Sequence, residues 1–321
     1  MNRNNAERAR AWGRYWATGV RHSCPGSFTD HYGESTRAFW REQFDRLKAT
    51  DTVLELGCGN GSLIRLLGST QRTAPLRVHA VDLAQIDRKW LEDLGEDLRS
   101  RIELHPNTSA AAMPIADAAI TRVYSQFALE YFVSQEVWSE LDRVMAPGVQ
   151  IAVIAHRRGS RPWTVARAEH AHCDWLLQPG GALDQAQRIL PLLAAVRTGQ
   201  RAAAATEAER ARFNATFAAL AERAARLGFG DILHETAEAV MRILGGAPAD
   251  VEAAARLLAD LRRRIEDNRL RVAELVEHAL DERAAADWAQ RLRQSRFSDV
   301  ELGELSESGY LFGWRLWARR S

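Results

Sequence analysis

Lysine is almost absent from this chain. Of its 43 basic residues, all but Lys48 and Lys89 are arginine. Arginine offers planar, bidentate anion contacts, but an excess spread along the whole chain fits a GC-rich coding bias, which also accounts for the many alanines. An imbalance of charge is missing too, with 43 basic residues against 42 acidic ones. That excludes a strongly basic nucleic-acid binder and a polyanionic tail. Cysteine is scarce: Cys24, Cys58 and Cys173 are too few for a disulfide scaffold or a four-cysteine zinc site. No run approaches the roughly 18 apolar residues of a membrane span. The first residues, Met1 to Arg8, lack the apolar segment of a signal peptide. These absences predict a soluble, reduced, cytoplasmic protein with no membrane and no nucleic-acid partner.

What the chain has is length and apolar material. At 321 residues and 46% hydrophobic content it holds enough for about two domains, or one domain with a large insertion. Short apolar runs alternate with helical stretches over residues 52–158. Strand candidates are Thr52–Leu56, Arg77–Val81, Arg101–Leu104, Ala119–Tyr124 and Val149–Ala155. Amphipathic helices are expected at 63–67, 84–99 and 133–146. This β-α order predicts a parallel sheet covered on both faces.

From about 159 to 293 the pattern turns helical. Two heptad-spaced seams run Phe213 to Leu227 and Val251 to Ala279, the second carrying Asn268 where a polar residue can fix register. Gln178–Gly181, Gly228–Gly230 and Gly245–Pro248 divide the region into helices. Its 19 basic and 19 acidic residues do not make a phosphate-tracking surface. Strand signals return at Ser298–Leu305 and Tyr310–Arg319, joined by the turn Ser306–Gly309.

The densest chemistry lies in Val53-Leu54-Glu55-Leu56-Gly57-Cys58-Gly59-Asn60-Gly61-Ser62-Leu63. A buried strand runs into three alternating glycines and then a helix. The glycines allow a tight turn and close backbone approach to a ligand, and the helix N-terminus adds positive potential. Asp82 ends the next strand, followed by Leu83, where a carboxylate can accept hydrogen bonds from the vicinal hydroxyls of a ribose. A dinucleotide fingerprint requires its third glycine at position 62, which is serine here.

The G-x-G-x-G spacing after Glu55 resembles motif I of class I S-adenosylmethionine-dependent methyltransferases, in which many members carry Asp in place of Glu. Met113–Asp117, Val123–Tyr131 and Arg143–Ile154 are similar to later segments of that family. The resemblance covers about 50–158 and 295–319. It implies a Rossmann-like, seven-stranded methyltransferase sheet, mostly parallel with one antiparallel strand, and the helical pattern of 159–293 then reads as a large all-helical insertion between strands 5 and 6. The implied divisions are an N-terminal helical lid (1–50), a cofactor-binding core (51–158), the insertion (159–293) and a closing strand hairpin (294–321).

The resemblance also implies S-adenosylmethionine as cofactor. Glu55, Gly57, Cys58, Gly59, Asn60, Gly61, Asp82 and Leu83 would contact it, as would Gln126. Asn107 and Thr108 stand where relatives carry Asp-Ala beside the adenine. The aromatic segment before motif I (Trp12, Tyr15, Trp16, Phe28, Tyr32, Phe39, Trp40) supplies helix packing and lid candidates, of which Tyr15 and Tyr32 are expected at the cofactor.

If the methyl acceptor must lose a proton, His156 after strand 5 is the first candidate base, followed by Glu130 and Tyr131 after strand 4 and His22 in the lid. Metal-dependent members place acidic ligands after strands 4 and 5. Ser125-Gln126 and His156-Arg157 occupy those positions, so no metal is expected there. The stretch His170–Asp174 offers ligand-type residues, but alternate positions on a helix do not face one another.

The expected acceptor is a small molecule, aromatic or lipid-like, with Trp163 and Trp175 near it. A protein or carrier docked on the insertion, and a non-catalytic interaction protein, are the alternatives. The insertion suits an internal helical bundle that forms a lid over the pocket, and its long seam suits helix pairing either within the chain or between chains in a homodimer.

Overall fold

The computed structural model describes residues 3–23, 32–70, 76–246 and 250–321. Phe28, Cys24 and most of the loop between the first two helices lie outside these residues. Two helices, α1 (Arg3–Trp16) and α2 (Glu34–Asp45), precede the sheet. Then come β1 (Thr52–Leu56), α3 (Ser62–Ser69), β2 (Arg77–Val81), α4 (Glu96–Arg99), β3 (Ile102–His105), β4 (Ile120–Gln126), α5 (Gln135–Val144) and β5 (Met145–His156). Six helices follow: α6 (Arg161–Leu177), α7 (Ala182–Arg197), α8 (Glu207–Leu227), α9 (Asp231–Gly246), α10 (Val251–His278) and α11 (Glu282–Gln294). β6 (Phe297–Glu307) and β7 (Tyr310–Arg320) come last.

The sheet has seven strands in the order β3-β2-β1-β4-β5-β7-β6. β1 to β5 are parallel, and β7 runs antiparallel to both β5 and β6. This is the sheet that the sequence implied. β1 is buried from Val53 onward, as expected of a central parallel strand with both faces covered. One apolar cluster joins Val53, Ile64, Leu67, Ala80 and Trp40 on one face. The other joins Leu54, Leu56, Leu141, Ile151 and Leu292 on the opposite face.

Trp40 of α2 is fully buried and donates from Nε1 to Gln126 Oε1 at 2.6 Å. Trp40→Ala removes that volume and orphans an amide, so unfolding free energy should fall by about 3–5 kcal/mol, measured by urea denaturation. A fall of less than about 1 kcal/mol would mean that α2 packs more loosely than described.

Two expectations need correction. The predicted helix over 84–99 is a 3-10 turn at Arg88–Asp93 and the four residues of α4. Asp87 caps the first piece by accepting from Lys89 N, and the backbone is extended at Leu94 and Gly95. Tertiary packing overrides the helical periodicity, because Trp90 is buried in the cluster that holds Ile64 and Ile86.

The second correction concerns the helical region. Contacts divide the chain into one unit of residues 1–163 and 274–321 and another of 164–273. α11 therefore belongs with the sheet, where Ala285 and Leu292 join its apolar cluster. Asp281 caps α11 by accepting from Ala284 N at 2.9 Å.

The helical unit has its own core of Leu183, Leu190, Leu220, Leu233, Leu258 and Ile265, among others. The long seam of α10 is thus spent inside this unit: Ala254, Leu258, Leu261 and Ile265 are buried there. The seam thus makes the helix pairing within the chain that its heptad spacing suits. Asn268 of the seam donates to Glu169 Oε1 at 2.6 Å and accepts from Arg271 at 2.7 Å. Trp175 lies under the Arg223 guanidinium, and His172 contacts Gly228 O and Arg223. His170, His172 and Cys173 do not form a ligand cluster among the described residues. No described helix is long and apolar enough to cross a membrane.

Candidate active site

The carboxyl ends of β1, β2 and β4 open onto a cleft of about 480 Å³. That lies within the range of about 300–1,000 Å³ usual for small-molecule sites. Its floor is the turn after β1. Gly57, Gly59 and Gly61 all have positive φ, at 70°, 48° and 72°. Side chains are excluded here by space as well as by backbone. A Cβ on Gly57 would stand 2.3 Å from the Ala128 methyl, one on Gly59 2.6 Å from the Trp16 ring, and one on Gly61 2.2 Å from Trp90.

Asp82 buttresses this turn. Its Oδ2 accepts from Gly59 N at 2.8 Å and its Oδ1 from Ala84 N at 2.8 Å. Each oxygen keeps a second lone pair for a ligand. Burial pushes the Asp82 carboxyl up to about 6, and its two backbone hydrogen bonds only partly offset this. Glu55 is pushed well above the ordinary carboxylate range, first by burial and then by the Asp82 charge. Glu55 Oε2 is buried with no hydrogen-bond partner among the described residues. An orphaned acceptor of this kind suits an ammonium group brought by a ligand. Burial likewise raises the Cys58 thiol, so Cys58 is no reactive thiolate.

Much of the remaining lining is aromatic. α1 contributes Trp12 and Trp16, the segment after it His22, and the stretch before α2 Tyr32. The His22 and Tyr32 rings lie 4.8 Å apart, and Tyr32 lies 5.2 Å from Phe127. Phe127 itself has φ +52°, an uncommon conformation for a bulky residue and one that clusters at functional sites. Tyr131, Phe132, Val133 and Val137 close one end.

Of the residues expected at the cofactor, Glu55, Gly57, Cys58, Asp82, Leu83, Thr108, Gln126 and Tyr32 line the cleft. Gly59, Asn60, Gly61, Asn107 and Tyr15 do not. Gly59 and Gly61 lie under Trp16 and Trp90. Asn60 is a clamp: its amide donates to Trp16 O at 2.9 Å and Val20 O at 2.7 Å. The Asn107 amide donates to Gln85. The Tyr15 hydroxyl donates to the His22 carbonyl at 3.0 Å.

Among the candidate bases, Tyr131 and His22 reach the wall, whereas His156 and Glu130 stand behind it. His156 Nδ1 lies 2.7 Å from Glu130 Oε1 and 3.3 Å from the Tyr131 hydroxyl. Glu130 Oε1 also accepts from His156 N at 2.8 Å. Trp163 donates to Val276 O and is not on the cleft wall.

Sequence reading missed Arg8, which lines the cleft, donates to Tyr131 O at 3.0 Å and pairs with Glu274. It also missed Ser109–Ala111 and Ala128 on the wall. The Arg8–Glu274 pairing spans 266 positions, and no local pattern announces it.

The ionisation of Asp82 sets an expected pH dependence. Its folded pKa lies above its ordinary 3.8, so the folded state holds the proton more tightly. The stability linked to this group is full below about pH 4 and is lost as pH rises through about 6. Ligand binding through the ionised carboxylate runs the opposite way. Affinity for a ribose-bearing ligand should fall as pH drops through about 6, and calorimetry at pH 5 and pH 8 checks it. Equal affinities would mean that Asp82 makes no ribose contact.

Residues 54–153 match the model of a methyltransferase domain family. The chain is 27% identical over 156 residues to an uncharacterized methyltransferase of Schizosaccharomyces pombe, covering 48% of this chain and 57% of that protein. It thus spans little more than half the length of this curated relative. Among solved structures, it is similar to a SAM-dependent methyltransferase from Aquifex aeolicus, with 17% identity, TM-score 0.35 and coverage of 46% of this chain and 75% of that one. It is also similar to geranyl diphosphate C-methyltransferase from Streptomyces coelicolor A3(2), with 15% identity, TM-score 0.38 and coverage of 54% and 73%.

Proposed function

We propose that this chain, whose residues 54–153 match a methyltransferase domain family, transfers a methyl group from S-adenosylmethionine to a small, apolar or aromatic acceptor. The observation that carries the acceptor class is the aromatic lining of Trp12, Trp16, Tyr32, Phe127 and Tyr131 that shares the cleft with the glycine turn. Aromatic walls favour flat or greasy ligands through burial and ring contacts.

The cofactor, when bound, supplies an activated sulfonium methyl. The chain's own part is to bind, orient and exclude water. The tight turn at Gly57 lets backbone approach the ligand closely, Glu55 Oε2 offers an acceptor to an ammonium, and Asp82 offers its free lone pairs to ribose hydroxyls. Tyr131 presents its ring at the cleft end, while Glu130 and His156 behind it fix the hydroxyl. The Tyr131 hydroxyl can take a proton from an acceptor hydroxyl or amine, without a metal at this position, if its own proton passes to the His156–Glu130 pair behind it. Thr108, which lines the cleft with Ser109 to Ala111, would contact the adenine.

Calorimetry with S-adenosylmethionine and S-adenosylhomocysteine tests the cofactor, and an absence of binding overturns the reading. Methyl release against a panel of aromatic and isoprenoid-like metabolites, run beside lysate protein, tests the acceptor class. Transfer to protein alone would replace the small-molecule reading with the docked-acceptor one.

A further inference from the structure

The edge of the sheet carries a cluster that the cofactor cleft does not use. We propose that His79, Glu103 and His105 form a binding site for a divalent cation of the zinc class, outside the cleft wall. His79 lies on β2, and Glu103 and His105 lie on β3. The parallel register sets His79 opposite Glu103 and Val81 opposite His105. Since side chains alternate along a strand, all three project from the same face. That is the face opposite to Val78, Ala80, Ile102 and Leu104, which enter the apolar cluster shared with α3.

The two imidazole nitrogens already have metal-site spacing, with the Glu103 carboxylate beside them. His79 Nδ1 and His105 Nε2 are 3.1 Å apart. Glu103 Oε2 is 3.5 Å from the first, and Glu103 Oε1 is 3.7 Å from the second. Tetrahedral zinc, with bonds of about 2.0–2.1 Å, sets neighbouring donors roughly 3.3 Å apart. A small inward shift of the Glu103 carboxylate would therefore complete three ligands. Two imidazoles and one carboxylate are a donor set that suits zinc, cobalt or nickel better than magnesium or calcium.

The two imidazoles sit on paired strands and do not need to be gathered from loops. Glu103 is exposed and His105 buried, which leaves an outer position for water. The connection from β3 to β4 holds no helix among the described residues, so this face at the β2–β3 edge is not roofed by one there.

The expected consequence is a pin between the edge strand β3 and β2, with the ion stabilising the folded state. The test uses the full chain, stripped with chelator, and titrates Co²⁺ by its visible d–d absorption and Zn²⁺ by the shift in Tm. One equivalent of Co²⁺ should bind, and Zn²⁺ should raise Tm. His79→Asn, Glu103→Gln and His105→Asn should each weaken binding by at least about tenfold, the lower end of what even indirect supports of metal sites contribute.

The proposal is overturned if the wild-type chain shows no Co²⁺ band and no Tm shift. It is equally overturned if the variants bind as the wild type does, since the ion would then sit elsewhere. Should a histidine variant fail to fold, Glu103→Gln alters only an exposed side chain and decides the matter alone. Binding of S-adenosylmethionine by each variant, measured in parallel, confirms that the sheet is intact.

Discussion

Asp82→Ala is expected to weaken S-adenosylmethionine binding by about 100-fold or more. Two effects act together. The proposed ribose contacts are charge-assisted hydrogen bonds of about 1.5–3 kcal/mol each, and each 1.4 kcal/mol is tenfold in affinity. The second effect is in the structure without any ligand. Asp82 accepts from Gly59 N and Ala84 N, so its loss frees the glycine turn that the cofactor must lie against. Asp82→Asn separates the two, because an amide oxygen can still accept from one backbone N–H while the amide nitrogen meets the other unfavourably. Calorimetry at pH 8, where the wild-type carboxylate is ionised, gives the comparison. A wild-type dissociation constant in Asp82→Ala would remove this residue from the site.

Tyr131→Phe should lower kcat by about 10²-fold or more if the acceptor surrenders a proton during transfer, the lower end of what positioned acid–base groups contribute. Affinity for S-adenosylmethionine should stay unchanged, since the ring remains and only the hydroxyl goes. Glu130→Gln and His156→Asn should act in the same direction through Tyr131, because His156 lies within hydrogen-bond distance of its hydroxyl and Glu130 holds His156. Single-turnover methyl transfer with saturating cofactor measures the chemical step. If Tyr131→Phe transfers methyl groups at the wild-type rate, the acceptor is deprotonated by another group or needs no deprotonation. His22, on the wall beside Tyr32, would then be the residue to change.

The features legible in the sequence were those encoded locally. The glycine spacing from Gly57 to Gly61 and the Asp82 that follows β2 lie within a short stretch, and the turn and its buttress come straight from them. The strand order followed because the apolar runs and the terminal hairpin matched a known sheet.

What escaped was set by packing between distant segments. The periodicity over 84–99 was helical in pattern, but the backbone breaks near Gly95 to bury Trp90. α11 read as part of the helical insertion because a hydrophobic stripe does not say which core it will join. Asn60 looked like a cofactor ligand, and it instead ties Trp16 and Val20 to the glycine turn. His79 and His105 are 26 positions apart and become neighbours only through the β2–β3 register.

The strand order also constrains how this protein is made. β7 lies between β5 and β6, yet it is the latest of the seven strands in the chain. On a ribosome, the helical unit emerges whole before β6 and β7 exist, while β5 waits with one edge unpaired. A waiting edge strand is a template for wrong partners, and pairing over such a separation is slow. Translation that stalls after the helical unit should therefore leave a folded helical body attached to an aggregation-prone half sheet. The cofactor cleft, whose floor is built from β1, β2 and β4, would then be ready before the sheet beside it is closed.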